Sequence, residues 1–421
     1  GEQADGHDFG PDAVARGAVA VLATRAVDGV ACVVVDDTQD AFAALAREVV
    51  RRSPDLQVIG ITGSSGKTST KDLLGTVLAT AGPTVAPVGS YNSEVGVPLT
   101  VCRVAADTRY LVVEMGARGI GHVEYLTRMA PPRIGVVLNV GTAHVGEFGG
   151  RAAIATAKSE LVAALPSDGL AVLNADDPAV RAMSAVTTAR VVLVGEADGA
   201  DGRAGDVVLG DGGRASFTVH TPSATRAVGL GLVGRHHVGN ALSVIAVATE
   251  LGMPLDAVCS ALEAARPVSR WRMEVVERAD GVTLVNDAYN ANPDSMHAAL
   301  TALARMGRGR RTWAVLGTML ELGPESETLH AQVGADVVDH GVGELLVVGE
   351  AAASLAVGAR DALAAGRGTA TAVRTVPDAG AAEALLREEL RPGDVVLFKS
   401  SRDAGLRLLG DRLAQDEEEL T

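Results

Sequence analysis

Val58-Ile59-Gly60-Ile61-Thr62-Gly63-Ser64-Ser65-Gly66-Lys67-Thr68-Ser69-Thr70-Lys71 is the stretch on which the fold turns. Val58–Thr62 is a short apolar run closed by a Gly/Ser turn, which reads as a buried strand, and a helix is expected to open after Gly66. Strand, glycine-rich turn and helix in that order make a phosphate cradle from backbone N–H groups and a helix N-terminus. In that cradle Lys67 is expected to reach the β- and γ-phosphates and the Thr68 hydroxyl to ligate Mg²⁺. The common GxxxxGK[ST] pattern has glycine five places before Gly66, where this chain has Ile61. Lys71, one turn into the helix, reads either as a solvated cation or as a second charge near the phosphates.

Outward from this unit the same rhythm repeats. Strand-like runs occur at Val30–Val35, Tyr110–Glu114, Ile134–Val140, Leu170–Asn174 and Val191–Val194, then at Val282–Asn286, Thr312–Leu316, Leu345–Val348 and Val395–Phe398. Ala-rich stretches of helical period lie between many of them, as at Lys158–Leu165 and Asn240–Leu251. Continuous apolar strands alternating with helices predict an α/β protein with parallel sheets covered on both faces. The stretch Gly195–Gly234 alternates instead like a short antiparallel insert. Breaks at Arg51-Arg52-Ser53-Pro54-Asp55 and Ala265-Arg266-Pro267-Val268 divide the chain into 1–53, 54–267 and 268–421.

Composition narrows the function. The 421 residues are 47% hydrophobic and 21% charged, enough for proper cores, and the net charge of −15 argues against sequence-independent binding of nucleic acid or anionic membrane. No apolar run reaches the length of a membrane span, the opening GEQADGHDF is polar, and Cys32, Cys102 and Cys259 are far apart with no CxxC pair. A cytoplasmic compartment is expected. Of 37 basic residues only Lys67, Lys71, Lys158 and Lys399 are lysine. Arginine serves wherever a surface cation suffices, but not where a compact ammonium or a deprotonatable amine is required.

Other candidates stand at strand ends. Glu114 closes Tyr110–Glu114, where a carboxylate completes the Mg²⁺ shell of a phosphate-loop enzyme or caps the next helix. His144 follows Asn139-Val140-Gly141 and is either structural or a ligand. Lys158 is on a predicted helix about a dozen residues later, so it either pairs along that helix or shares a site with His144. His236-His237-Val238-Gly239-Asn240 opens a helix. Asn286-Asp287-Ala288-Tyr289-Asn290-Ala291-Asn292-Pro293 ends a strand, and its amides could read adenine and ribose or serve turn chemistry.

Together these residues resemble the Mur ligase family, the ATP-dependent amide ligases of peptidoglycan assembly. TGSSGKTSTK is similar to the family's phosphate loop, including its departure at Ile61, and implies that Gly63, Ser64, Ser65, Gly66, Lys67, Thr68 and Ser69 surround the phosphates. VVEMGA, NVGTAHVGEFG, AKSEL and above all NDAYNANPDSMHAAL are similar to the branch that adds D-alanyl-D-alanine to UDP-N-acetylmuramoyl-tripeptide. The resemblance implies three domains: a UDP-binding N-terminal domain (1–53, of which GEQADGHDFGPDAVARGAVAVLA resembles the later part, its opening strands missing), a central phosphate-loop ATPase domain (54–267) and a Rossmann-like C-terminal domain (268–421). It places Mg²⁺, two ions, on Thr68, Glu114, His144 and Lys158, with Lys158 carbamylated by CO₂. Lys67, Lys158, His144 and Glu114 become the expected catalytic set. Asn240, Arg272, Asn286 and Asp287 match positions around the nucleotide, and Tyr91, Asn92 and Ser93 match the loop that meets the UDP-sugar. Asn290, Asn292 and Lys399 fall in the C-terminal substrate region. Ser400 stands where the family usually has Gly, and Thr318 where it usually has Asp.

The implied reaction has the tripeptide carboxylate attack the γ-phosphate of ATP, giving an acyl phosphate that the dipeptide amine then opens. A monomer acting on small molecules is expected. The alternatives are a diaminopimelate- or lysine-adding relative, folylpolyglutamate synthase, or a module that binds ATP without ligating anything.

Overall fold

The computed structural model describes residues 4–141, 148, 150–368 and 371–415. Its larger sheet has nine strands among those residues. In spatial order they are Thr225–Val233, Arg214–His220, Gly202–Leu209, Arg190–Gly195, Leu170–Asn174, Ile134–Val137, Gln57–Thr62, Tyr110–Glu114 and Thr84–Val85. Pairing is parallel from Thr84–Val85 to Arg190–Gly195. The three strands between Gly202 and Val233 form an antiparallel meander joined to it by a two-residue parallel contact, as the alternating pattern predicts.

Parallel strands buried on both faces need a helical layer on each side. On one face Lys67–Ala79, His237–Glu250 and Leu255–Ala264 cover a core that includes Ile59, Ile61, Val112 and Val136. On the other, Thr38–Arg51, His122–Met129 and Arg151–Ala163 cover Val58, Leu111, Val113 and Val137. Each such fully buried aliphatic side chain contributes about 1.5–3 kcal/mol. Thr38–Arg51 comes from the first segment, where a three-residue parallel pair, Val21–Ala23 with Cys32–Val34, precedes it.

The second sheet runs Glu274–Glu277, Thr283–Asn286, Val395–Lys399, Thr312–Leu316, Glu344–Val348 and Ala372–Val376; all pairs are parallel except the first. Helices Pro293–Met306, Ser326–Asp339 and Ala353–Ala364 cover one face, and Ala379–Glu389 and Leu406–Gln415 the other. The chain is therefore an α/β protein built on two mainly parallel sheets.

One strand is shorter than its apolar run. Ile134–Val140 reads as a continuous strand, yet pairing stops at Val137. Beyond it the Asn139 carbonyl accepts from Ser64 N–H (3.1 Å) and Val140 N–H donates to the Asp177 carboxylate (2.8 Å). The backbone leaves the ladder because its polar groups are claimed by the phosphate-loop turn and a helix cap. The edge strands Glu274–Glu277 and Ala372–Val376 have no continuous apolar run and are not evident in the sequence. No helix among the described residues is long and apolar enough to cross a membrane.

Candidate functional site

The turn after Gln57–Thr62 enters Lys67–Ala79 through Gly66, which has φ +82°, and a Cβ there would lie 2.9 Å from Asn240 Oδ1. Only glycine meets both conditions, so Asn240 backs the turn. Ser64 and Ser65 do not present free N–H groups: they donate to the Asn139 carbonyl and to Asn139 Oδ1 (2.9 Å), while Asn139 Nδ2 returns to the Ser65 carbonyl (3.1 Å). Asn139 thus braces the loop, a role nothing in its spacing announces. The donors left for an anion are the first-turn N–H groups of the helix, which have no intrahelical acceptors.

Lys67 Nζ folds back onto the Gly63 carbonyl at 2.7 Å. Burial lowers its pKa, the Glu114 carboxylate works against that shift, and the Arg272 guanidinium adds to it. The Thr68 hydroxyl donates to Glu114 Oε2 at 2.9 Å, and Ser90 and Asn92 donate to Oε1, each at 2.8 Å. Glu114 is buried, and these donors orient both of its oxygens. Arg272 donates to Thr68 Oγ1 (3.2 Å), so residues from four separate stretches of sequence meet within one hydrogen-bonded chain.

Lys158, on Arg151–Ala163, is buried rather than solvated. Desolvation, then the nearby Lys67 charge, pushes its pKa down to about 7. It is therefore an amine able to lose its proton at neutral pH, which arginine never does. His144 lies outside the described residues.

The strand-end cluster of the second sheet separates into different jobs. Asp287 takes Lys399 Nζ on Oδ2 (2.5 Å) and Met273 N–H on Oδ1 (3.1 Å), and Lys399 also reaches the Asn290 carbonyl (3.1 Å). Lys399 is fully buried and ties the loop together. Arg272 lies over the Tyr289 ring with its Cζ 4.2 Å from the centroid, a cation–π contact. Asn286 faces the other way, donating to the Arg407 carbonyl (2.8 Å) on Leu406–Gln415. Asn292 caps Pro293–Met306 in a reciprocal capping box with Ser295. Asn290 Oδ1 accepts from Ala291 N–H.

Of Tyr91, Asn92 and Ser93, only Asn92 reaches Glu114. Tyr91 is exposed beneath Arg103, and Ser93 Oγ accepts from Gly96 N–H. Ser90, one place before this trio, is the contact that sequence reading missed. Lys71 is no solvated cation: it is 1% exposed and paired with Asp72.

The donor set suits a hard cation. Thr68 and Glu114 offer hydroxyl and carboxylate oxygens, the ligand type Mg²⁺ takes. Among the described residues no three His, Cys, Asp or Glu side chains form a metal cluster. Two buried side-chain polar atoms among them lack a partner: Thr62 Oγ1, on the last residue of the strand that leads into the turn, and Arg272 Nε.

Comparison with known proteins follows the same outline. Residues 61–248 match the Mur ligase middle domain, and residues 271–402 the Mur ligase glutamate ligase domain. The chain is 49% identical to UDP-N-acetylmuramoyl-tripeptide–D-alanyl-D-alanine ligase of Mycobacterium tuberculosis, over 99% of this chain and 89% of that protein. A crystal structure of MurF from Acinetobacter baumannii superposes with TM-score 0.87 at 30% identity, covering 99% of this chain and 89% of the other. MurF ligase from Thermotoga maritima in complex with ADP superposes with TM-score 0.84 at 28% identity, covering 100% and 94%.

Proposed function

The chain belongs to the Mur ligase family, and from that premise we propose that it joins D-alanyl-D-alanine to UDP-N-acetylmuramoyl-tripeptide in peptidoglycan precursor synthesis, converting ATP to ADP and phosphate. Its relatives' names carry the substrates, and the ADP complex of a structural neighbour supports ATP as the nucleotide. The observation that supports ligation over mere nucleotide binding is the hydrogen-bonded chain from Arg272 through Thr68 to Glu114. It brings a residue from beyond the 54–267 segment onto the phosphate loop, as a reaction joining two substrates needs.

The tripeptide carboxylate oxygen attacks the γ-phosphorus of ATP, and the bond to the ADP oxygen breaks. The dipeptide amine then attacks the acyl carbon, loses a proton, and phosphate departs with one oxygen of the former carboxylate. Lys67 supplies a fixed positive charge where the transferring phosphoryl group develops negative charge. Arg272, stacked on Tyr289 and bonded to Thr68, adds a second. Thr68, Glu114, His144 and a carbamylated Lys158 would hold Mg²⁺, which when bound neutralises charge on the phosphates. Carbamylation needs a neutral amine, and a Lys158 pKa near 7 supports it. Gly63 to Ser69 line the phosphates, Asn240 and Asp287 the nucleotide, and Asn92 the UDP-sugar side. We infer a functional division into 1–53, 54–267 and 268–421, a monomer as the working unit, and the cytoplasm as its place.

Phosphate release measured with UDP-N-acetylmuramoyl-tripeptide, with and without D-alanyl-D-alanine, tests this reading. Release that requires both supports it. Release with a single amino acid in place of the dipeptide points to another ligase of the superfamily, and release with neither points to a simple ATPase.

A further inference from the structure

Lys67 and Lys158 have places in the proposed reaction and Lys399 ties the loop at Asp287 and Asn290; Lys71 has neither role. Its ammonium is buried, donates to Asp72 Oδ1 at 2.5 Å and makes a second hydrogen bond to the Pro87 carbonyl. The other Asp72 oxygen accepts from Ser269 N–H (3.1 Å), and Ser269 Oγ accepts from Gly89 N–H (3.0 Å). These contacts close a ring through the phosphate-loop helix, the Pro87–Gly89 loop and the segment that leads into the second sheet.

Both loops held by this ring end on the site. Ser90, next after Gly89, donates to Glu114. Arg272, three residues after Ser269, donates to Thr68. From the second-sheet side the same linker is held by Trp271 N–H to Glu274 Oε2 (2.9 Å), the Trp271 indole N–H to Asp411 (3.0 Å) and Met273 N–H to Asp287 Oδ1 (3.1 Å), and Trp271 and Met273 take φ values of +60° and +51°, which non-glycine residues adopt only when their surroundings hold them there. A compact ammonium can bridge a neighbouring carboxylate and a carbonyl in this buried corner, whereas a planar guanidinium presents a wider fork.

We propose that Lys71, Asp72 and Ser269 are positioning residues: the ion pair holds the Ser269 backbone and Pro87, the Ser269 hydroxyl closes the latch on Gly89, and together they align Arg272 with Thr68 and Ser90 with Glu114 for phosphoryl transfer. The role rests on the ligase reading for its effect on turnover, but not for its effect on the linker's structure.

Removing Lys71 or Asp72 leaves the other charge buried and unpaired, which can unfold the domain, so the test uses Ser269→Ala in the full chain. This variant removes only the acceptor for Gly89. Its kcat for dipeptide-dependent phosphate release should fall about tenfold, the size expected of a small misplacement of an aligned group. In a background carrying both Arg272→Ala and Ser90→Ala the same substitution should change kcat less than about twofold, because both of its routes of action are gone. Acrylamide quenching reads the linker directly: Trp313 is fully buried, so added quenching in Ser269→Ala reports Trp271. Equal losses of kcat in both backgrounds, or unchanged quenching, would overturn the latch. If the unmodified chain shows no dipeptide-dependent release, the ligase reading fails instead, and quenching alone decides the latch.

Discussion

Thr68, in the first turn of one helix, donates its hydroxyl to Glu114 Oε2 at 2.9 Å, across 46 positions of sequence. The contact exists because Gln57–Thr62 and Tyr110–Glu114 are parallel neighbours, with Ile61 opposite Glu114 in register. A parallel sheet brings the C-terminal ends of its strands to one edge, and ligands collect there. The site chemistry is therefore a consequence of strand register.

Ser90 and Asn92 orient the other Glu114 oxygen. Ser90→Ala should raise the Mg²⁺ concentration for half-maximal activity about tenfold, the usual effect of losing an outer partner of a metal ligand. A magnesium titration of phosphate release measures it; an unchanged midpoint would remove Glu114 from the metal's shell.

Lys67→Ala should lower ligase turnover about 1,000-fold or more, since the charge it supplies acts on the transferring phosphoryl group in a water-poor site. Circular dichroism should show the same helix content as the unmodified chain. Substantial turnover in a folded variant would displace Lys67 from the centre of the reaction.

The proposed carbamylation of Lys158 would tie activity to pH and CO₂. With its pKa near 7, the neutral amine that CO₂ attacks dominates above that pH and is scarce below it. Activity in CO₂-depleted buffer should be low, and bicarbonate should restore it more fully at pH 8 than at pH 6. Lys158→Ala should be rescued in part by formate or acetate, and Lys158→Arg should stay inactive. Linkage has a definite sign here: between about 7 and the ordinary lysine value of 10.5 the unfolded chain binds the proton and the folded chain does not. Stability contributed by this group therefore falls as pH drops through that window, and it is constant below it.

Asn292 separates a cap from a substrate contact. Asn292→Ala should destabilise the chain by about 1 kcal/mol, read as a lower thermal midpoint, whereas Asn292→Asp and Asn292→Ser keep the cap. If all three weaken binding of the tripeptide or the dipeptide alike, the side chain touches substrate.

Much of this architecture is legible in the sequence because local signals and burial agree. Tyr110–Glu114, Leu170–Asn174 and Thr312–Leu316 are continuous apolar runs, and the strands occupy those residues. The antiparallel meander follows from alternation between Gly195 and Gly234. Edge strands escape notice: Ala372–Val376 carries Arg374, whose charge is met by Glu344 and Glu389 from neighbouring elements. The site divides the same way. Strand-to-helix phosphate loops have a local pattern, so Gly66, Lys67 and Thr68 can be read directly. Ser90 and Asn139 act through tertiary contacts with no periodicity to mark them. The Asn-rich stretch shows the converse, because residue types alone could not tell that Asn286 faces Leu406–Gln415 while Asp287 holds Lys399. Lys71 is ambiguous in sequence for a related reason: a helical lysine looks the same whether water or a buried carboxylate receives it.

If amide formation passes through an acyl phosphate made from the tripeptide carboxylate, one oxygen of that carboxylate leaves with the phosphate. The most direct measurement uses UDP-N-acetylmuramoyl-tripeptide with ¹⁸O in its terminal carboxylate, together with ATP and D-alanyl-D-alanine, and mass analysis of the phosphate released. Each new amide bond should transfer one labelled oxygen to inorganic phosphate; unlabelled phosphate accompanying amide formation would rule the acyl phosphate out.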